Sequence, residues 1–339
     1  MYYIEVLKEY KKKFEDAKRP FVEAGEDVSK ASLWQAIKFI KKYHFNMIEY
    51  FSYRLYEHKK EKPLSFVSFR EVHSFNVFLN KGEIDQIFVN KERTYETFKK
   101  YYKRDLLKVT KDNKDLFLEL GKKHNELIIK PGKGTCGRGI QIINTENIDK
   151  KYNELIEEYS GDFIAEELIK QSNEMSKFHP SSVNTLRIPT IRFDDEVLPH
   201  HILFRCGKGG SSVDNASAGG VLGIVDANTG MVINAGYLNG TVVNVHPDTL
   251  EKLVGIKIPR YEEAIKLVKE LALVLPENRW VGWDLALTDE GWVMVEGNST
   301  PQVEAYQILK NEGMYLELKS YFERLGKLDE FNSLVKRKV

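Results

Sequence analysis

The sequence predicts an α+β fold, with helices packed on largely antiparallel sheets and no doubly wound parallel sheet. Two observations carry this reading. Much of the C-terminal half consists of apolar strand-like runs: TLRIPTIRF, VLPHHILFRCG, GGVLGIVDANTGMVINAGYL and WVGWDLALTDEGWVMVEGNSTPQ. Antiparallel hairpins mixed with helices argue for α+β and against a doubly wound parallel sheet. Nearer the N-terminus, Leu33, Ile37, Ile40, Met47, Phe51 and Leu55 recur at helical spacing with lysines between them.

Taken in order, a helix is expected over 28–60, closed by Pro63. SFVSF (65–69) and DQIFV (85–89) read as short strands, and 91–122 as mostly helical. LIIKPGKGTCGRGIQII reads as strand, loop and strand, followed by a helix near 148–159 and the strand FIAEELI. The antiparallel part is interrupted by a helix near 262–275, and a last helical stretch begins near Gln302. There is no internal repeat and no low-complexity linker.

A chain of 339 residues is long enough for two or three domains. Apolar residues at 42% and charged residues at 30% describe a soluble globular protein, and a net charge of +1 gives no global field for nucleic acid or an anionic membrane. No apolar run reaches membrane-span length, and MYYIEVLKEYKKKFEDAKR is too charged for a secretory leader. Cys136 and Cys206 make no disulfide framework and have no zinc-site companions, so a reducing cytoplasm is expected.

The most informative segment is the last hairpin. Glu296 and Asn298 lie two apart on one strand and share a face; the Thr288-Asp289-Glu290-Gly291 turn can bring Asp284 alongside them. Three hard oxygen donors on one face suit Mg²⁺ bridging a nucleotide's phosphates. Polar residues that merely meet solvent beside a turn are the plainer alternative.

Lys130 ends an apolar strand and leads into a loop with glycines at 132, 134, 137 and 139. Such a loop can lay N–H groups on phosphate oxygens, and the lysine adds charge. It is not a Walker loop, because a strand follows it and not a helix. Cys136 reads as a small filler. Glu166 and Glu167 end the next strand, whose edge can pair with an adenine, and Glu174 is placed for a ribose hydroxyl. Arg187, Arg192 and Arg205 lie on antiparallel strands; permanently charged, bidentate groups there suit phosphate or carboxylate, with Arg192 the one that reads equally well as surface. His200 and His201 read as structural.

In this order, with VNTLRI, SSVDNASAGGVLGIVD and VEGNSTPQ, the chain resembles the sugar-transfer-associated family of the ATP-grasp fold from about Lys91 onward. Behind a mostly helical lobe expected over 1–90, the resemblance implies a small lobe with a glycine-rich flap over 91–165 and a larger metal-bearing lobe over 166–339. It matches Lys91 and Lys130 to phosphate lysines and 132–139, with Gly134, Thr135, Gly137, Arg138 and Gly139, to the flap. Glu167 and Leu168, next to Glu166, fall at the adenine hinge, Glu174 at the ribose, and Asp284, Glu296 and Asn298 at the magnesium. One departure stands out: relatives that join amino acids often carry an arginine two residues before the metal-binding aspartate, and here that residue is Gly282, so Arg187 or Arg205 must contact the transferred phosphate.

The activity implied is an ADP-forming carboxylate–amine ligase that uses ATP and one or two Mg²⁺ (or Mn²⁺) ions and passes through an acyl phosphate. Its substrates would be small molecules, a carboxylate and an amine, such as a uronic-acid sugar nucleotide or an amino acid for surface polysaccharide. No nucleic-acid partner and no integral membrane segment are expected. The alternative is a small-molecule kinase on the same fold, since both reactions need the same lysine and metal sites.

Overall fold

The computed structural model describes residues 2–58, 65–80, 84–132, 139–216 and 219–335. The N-terminal helices are α1 (Tyr2–Glu23), α2 (Leu33–Tyr43), α3 (Met47–Ser52), α4 (Phe69–Leu79), α5 (Ile84–Val89) and α6 (Lys91–Tyr102). Then come β1 (Leu106–Thr110), α7 (Lys114–Lys123), β2 (Glu126–Pro131), β3 (Gln141–Asn144), α8 (Ile148–Glu158), β4 (Asp162–Glu167) and α9 (Asn173–Ser176). The large sheet is built from β5 (Thr185–Arg192), β6 (Val197–Pro199), β7 (Ile202–Cys206), β8 (Val221–Val225) and β9 (Val232–Gly236). After α10 (Tyr261–Val274), β10 (Trp280–Thr288) and β11 (Gly291–Asn298) complete it, and α11 (Glu304–Lys310), α12 (Tyr315–Arg324) and α13 (Leu328–Val335) close the chain.

Every strand pairing among the described residues is antiparallel, as the α+β reading expects. A four-stranded sheet runs β1-β4-β2-β3, and a seven-stranded one runs β11-β10-β5-β7-β8-β9 with β6 on β5. The small sheet has its own core around Phe117, Leu127, Ile129 and Phe163. The large sheet packs on α10 through Val268, Leu271, Leu285 and Trp283, and Tyr95, Phe98 and Tyr102 of α6 join this larger core. A third core, rich in aromatics, gathers α1–α3 around Phe14, Tyr50, Phe51 and Tyr53.

Several local expectations change. The segments 65–69 and 85–89 are not strands. Ser68 and Glu71 form a capping box that starts α4, and 85–89 lies in α5, just before Asn90 caps α6. The S-x-x-E signal stood in the sequence, but the aromatic and β-branched letters outweighed it. The helix over 28–60 is two helices, because His44 adopts φ 61° and Asn46 begins a second capping box with Glu49. Within 91–122, Leu106, Leu107 and Val109 leave the helical path to pair with β4. The run VLPHHILFRCG breaks into β6 and β7 at His201, which has φ 49°. Leu168 and Ile169 fall beyond β4, and the last helical stretch is three helices.

Candidate active site

Alternation along the strands of the large sheet puts one set of polar side chains on a single face. Asp284 on β10 lies opposite Arg187 on β5 and opposite Glu296 on β11, while Gly282 lies opposite Asn298. Thr185, two residues before Arg187 and on the same face, lies opposite Arg205 of β7. A β-bulge at Val295 makes this possible. Met294 pairs with Leu285 in the core and Glu296 pairs with Asp284 in the cleft, although plain alternation would send residues 294 and 296 the same way.

Asp284 is fully buried and takes both guanidinium nitrogens of Arg187, Nε at 2.7 Å and Nη2 at 2.6 Å, with Arg205 Nη2 at 3.0 Å. Burial alone would raise its pKa, but the two arginines prevail and hold it at about 2. Glu296 has a side chain about half open (53%), with Asn298 Nδ2 3.4 Å away. Desolvation at the cleft floor and the Asp284 charge both push the Glu296 carboxyl up. Arg205 is also held by Asp214, which hydrogen-bonds to Thr185, and the Asp214 and Asp284 charges outweigh burial to keep this guanidinium firmly protonated. Arg187 Nη1 donates to Gln302, a residue at φ 58°.

The second half of the site comes from the small lobe. Lys130, near the end of β2, donates to Glu166 at 2.5 Å, and Arg104 holds the other oxygen of that buried carboxylate, also at 2.5 Å. Burial opposes ionisation of Glu166, and these two cations overcome it and lower its pKa. Arg104 reaches onward to the carbonyls of Met294 and Val295, at 2.5 and 3.2 Å, and so clamps the bulge that aims Glu296. Lys91 stands within electrostatic reach of Lys130, Glu166 and Glu296; burial first, and then the Lys130 charge, lower its pKa. The structure therefore brings together Lys91, Lys130, Glu166, Arg187, Arg205, Asp284, Glu296 and Asn298.

Other expected residues stand apart. Gly134, Thr135, Gly137 and Arg138 lie outside the described residues; Gly139, at φ 70°, has its carbonyl bonded to Tyr159 Oη at 2.7 Å. The strand that ends in Glu166 and Glu167 is not an edge, because β4 lies between β1 and β2. Both partners of the Glu166 carboxylate are cations, so that side chain anchors Lys130 and does not face a base. The Glu167 N–H donates to the Asp105 carbonyl at 2.9 Å, and its carboxylate joins Asp105 and His124 in a half-buried cluster. That is the group of acidic and imidazole side chains spaced for a metal among the described residues; His124 Nε2 to Asp105 at 3.0 Å and the Asp105 N–H to Glu167 at 3.1 Å make it a clasp at the end of β4. Leu168 is the first residue past this strand. Glu174 is exposed on α9, beside Arg260. Arg192 sits at the far end of β5, bonded to the Pro276 carbonyl. His200 and His201 are buried, with Trp280 Nε1 donating to His200 and Glu317 facing His201 at 2.9 Å.

Gly282 explains the departure noted above. A Cβ there would stand 3.1 Å from Pro301 Cα, so a side chain would require that backbone to move. Arg187, on the next strand and the same face, is the guanidinium that stands against Asp284. Three residues of the site escaped sequence reading. Asp214 lay unassigned inside a glycine-rich segment, and Arg104 was one of four basic residues in KKYYKR. Glu304 follows Gln302 by two positions; its Oε1 is enclosed without a hydrogen-bond partner among the described residues, and burial raises its pKa against the pull of Arg187.

No curated protein matches this sequence. Solved structures that are similar include a D-alanine–D-alanine ligase from Bacillus anthracis (16% identity, 74% of this chain and 68% of that one, TM-score 0.40). Another is the D-alanine–D-alanine ligase from Helicobacter pylori (13% identity, 77% and 69%, TM-score 0.45). A third is an ADP complex of purK, an N5-carboxyaminoimidazole ribonucleotide synthetase (12% identity, TM-score 0.42), of which this chain covers 46% with 64% of its own length. The model of the sugar-transfer associated ATP-grasp family matches residues 72–322, and the chain belongs to that family.

Proposed function

We propose that this protein is an ATP-dependent, ADP-forming carboxylate–amine ligase working through an acyl phosphate. Its substrate would be a uronic-acid sugar or an amino acid used for surface polysaccharide in the cytoplasm. The observation that carries this reading is one charged cluster, with Lys91 and Lys130 beside Glu166 and Glu296, and Arg187 and Arg205 on Asp284. Two lysines and two arginines set among carboxylates suit a reaction in which a phosphoryl group moves between two anionic oxygens.

The donor set fits a divalent cation. Asp284 Oδ2 already accepts two hydrogen bonds and Oδ1 accepts one, which leaves a lone pair on Oδ1. Glu296, raised by its neighbour's charge, gains most from a cation between the two carboxylates, and Asn298 adds a neutral oxygen. Mg²⁺ or Mn²⁺ bound there would neutralise phosphate oxygens and orient them.

Lys91 and Lys130 would hold nucleotide phosphates, with Glu166 fixing the ammonium of Lys130. Arg187 and Arg205 would steady the substrate carboxylate as its oxygen bonds to the γ-phosphorus and the bond to ADP breaks. The amine nitrogen then forms a C–N bond, phosphate leaves and the nitrogen gives up a proton. The loop over 132–139 would keep water from the acyl phosphate.

The test is a screen of uronic-acid sugar nucleotides and amino acids for ADP release, with mass spectrometry of the products. With the true carboxylate, hydroxylamine in place of the amine should yield ADP, phosphate and hydroxamate in equal amounts. AMP with pyrophosphate would rule the mechanism out, and ADP with a stable phosphoester would assign the protein as a kinase.

A further inference from the structure

The helical N-terminal lobe carries a feature that the catalytic reading does not use. Of the four tryptophans, Trp280, Trp283 and Trp292 are buried, and each donates its indole N–H inside the protein. Trp34 is 68% exposed. It lies on α2, which buries Ala36 and Phe39 on the opposite side, and Ile37 next to Trp34's own face, in the aromatic core with Phe51 and Tyr53. Trp34 therefore stands outside the core that holds Phe51 and Tyr53, and Tyr43 is half-buried.

Positions 34, 38 and 41 follow the helical repeat, so Trp34, Lys38 and Lys41 share a face, and both lysines are exposed. The segment 28–48 contains Lys30, Lys38, Lys41 and Lys42 and no aspartate or glutamate, although the whole protein carries only +1. Ile48, on α3, which packs on α2, is 65% exposed. An indole with an apolar body and a polar N–H prefers the headgroup level of a bilayer, and a basic segment without acids of its own complements anionic lipid. No helix among the described residues is long and apolar enough to cross a membrane, so contact would be from the side.

We propose that α2 docks this protein reversibly on an anionic membrane surface, with Trp34 seated among the headgroups and Lys38 and Lys41 facing lipid phosphates. One short helix with a single aromatic anchor makes a weak, salt-sensitive contact, suited to a peripheral enzyme that leaves and returns. The proposal stands whether or not the ligase reading does.

The test uses the full chain and sucrose-loaded vesicles of phosphatidylcholine, with or without phosphatidylglycerol, at low and moderate salt. The protein should pellet with the anionic vesicles only, and salt should release it. Trp34 is the exposed indole, so its emission should shift to the blue on binding and be quenched by brominated lipid, while the buried tryptophans stay unchanged. Trp34→Phe should abolish the shift, and K38E with K41E should weaken binding by more than about tenfold. All of these positions face solvent, so the unfolding midpoints should match that of the parent protein. Equal pelleting with neutral vesicles, an unshifted emission on pelleting, or full binding by the double charge reversal would each overturn the proposal. Absent vesicle binding together with a Trp34 shift on a soluble anionic glycan would overturn it in favour of a glycan platform.

Discussion

Arg187 and Asp284 face each other directly across β5 and β10, and the guanidinium closes on both oxygens of the carboxylate at 2.7 and 2.6 Å. Both are buried, at 5% and 0% exposure. A pair so placed is tied to folding as well as to chemistry: with one member gone, the other stays buried and uncompensated. Asp284→Asn leaves Arg187 and Arg205 facing each other, and should cost about 3–5 kcal/mol of stability. Urea unfolding checks this; a loss below 1 kcal/mol would mean that the pair is not a structural member of the sheet.

Glu296 should behave differently, because half of its side chain is open. Glu296→Ala should abolish nearly all ATP turnover and leave the unfolding midpoint close to that of the parent. Activity near normal at moderate Mg²⁺ would remove this residue from the metal site.

Lys130→Ala should weaken the transition state by ~3–4 kcal/mol, the usual loss for a preorganised electrostatic partner. ADP formation under saturating substrate gives the value. Unchanged ATP affinity together with an unchanged rate would refute a phosphate role for this lysine.

Arg104→Met removes a cation from Glu166 and the donors from the bulge carbonyls. Stability should fall by about 3–5 kcal/mol, as for any broken buried pair. Turnover should fall further than in a surface variant of equal stability, because Lys130 and Glu296 both lose their support. Equal turnover at matched stability would reduce Arg104 to a packing role.

Glu49 offers a pH test. Its carboxylate accepts from Asn46 N at 2.6 Å and Phe69 N at 2.5 Å and so starts two helices, but burial outweighs these bonds and pushes its pKa up to about 7. A carboxyl raised on folding stabilises most when protonated, and that contribution fades from the unfolded value near 4.5 up to about 7. Relative to the parent, Glu49→Gln should therefore gain about 3 kcal/mol across this window, whatever the fixed cost of the lost acceptor. A difference independent of pH from 4 to 8 would show that Glu49 is already ionised in the fold.

Strand alternation was legible from the letters alone. The spacing of Glu296 and Asn298, the lysine before the glycine loop and the arginines on apolar strands are one-dimensional patterns, and a strand turns them directly into a shared face. The hairpin turn brings the two strands together, but its register alone would set Asp284 opposite Val295, and only the bulge puts Glu296 there. The short N-terminal elements were less legible, because aromatic and β-branched letters suit a buried helix as well as a strand, and only the caps at Ser68 and Asn46 separate the two.

What the sequence determined by itself is thus the antiparallel architecture and the gathering of Asp284, Glu296 and Asn298 on the last hairpin. Tertiary structure decided how that cluster is wired. The bulge at Val295, which turns Met294 inward and Glu296 outward, is held by Arg104 from 190 residues away. A Cβ at Gly282 would crowd the Pro301 backbone, and Arg187 stands against Asp284 from the next strand. Trp34 stays on the surface because Ala36, Ile37 and Phe39 are the residues of α2 that fill the core. Each of these rests on which surfaces touch across long sequence separations, and periodicity within one element carries no information about its partner.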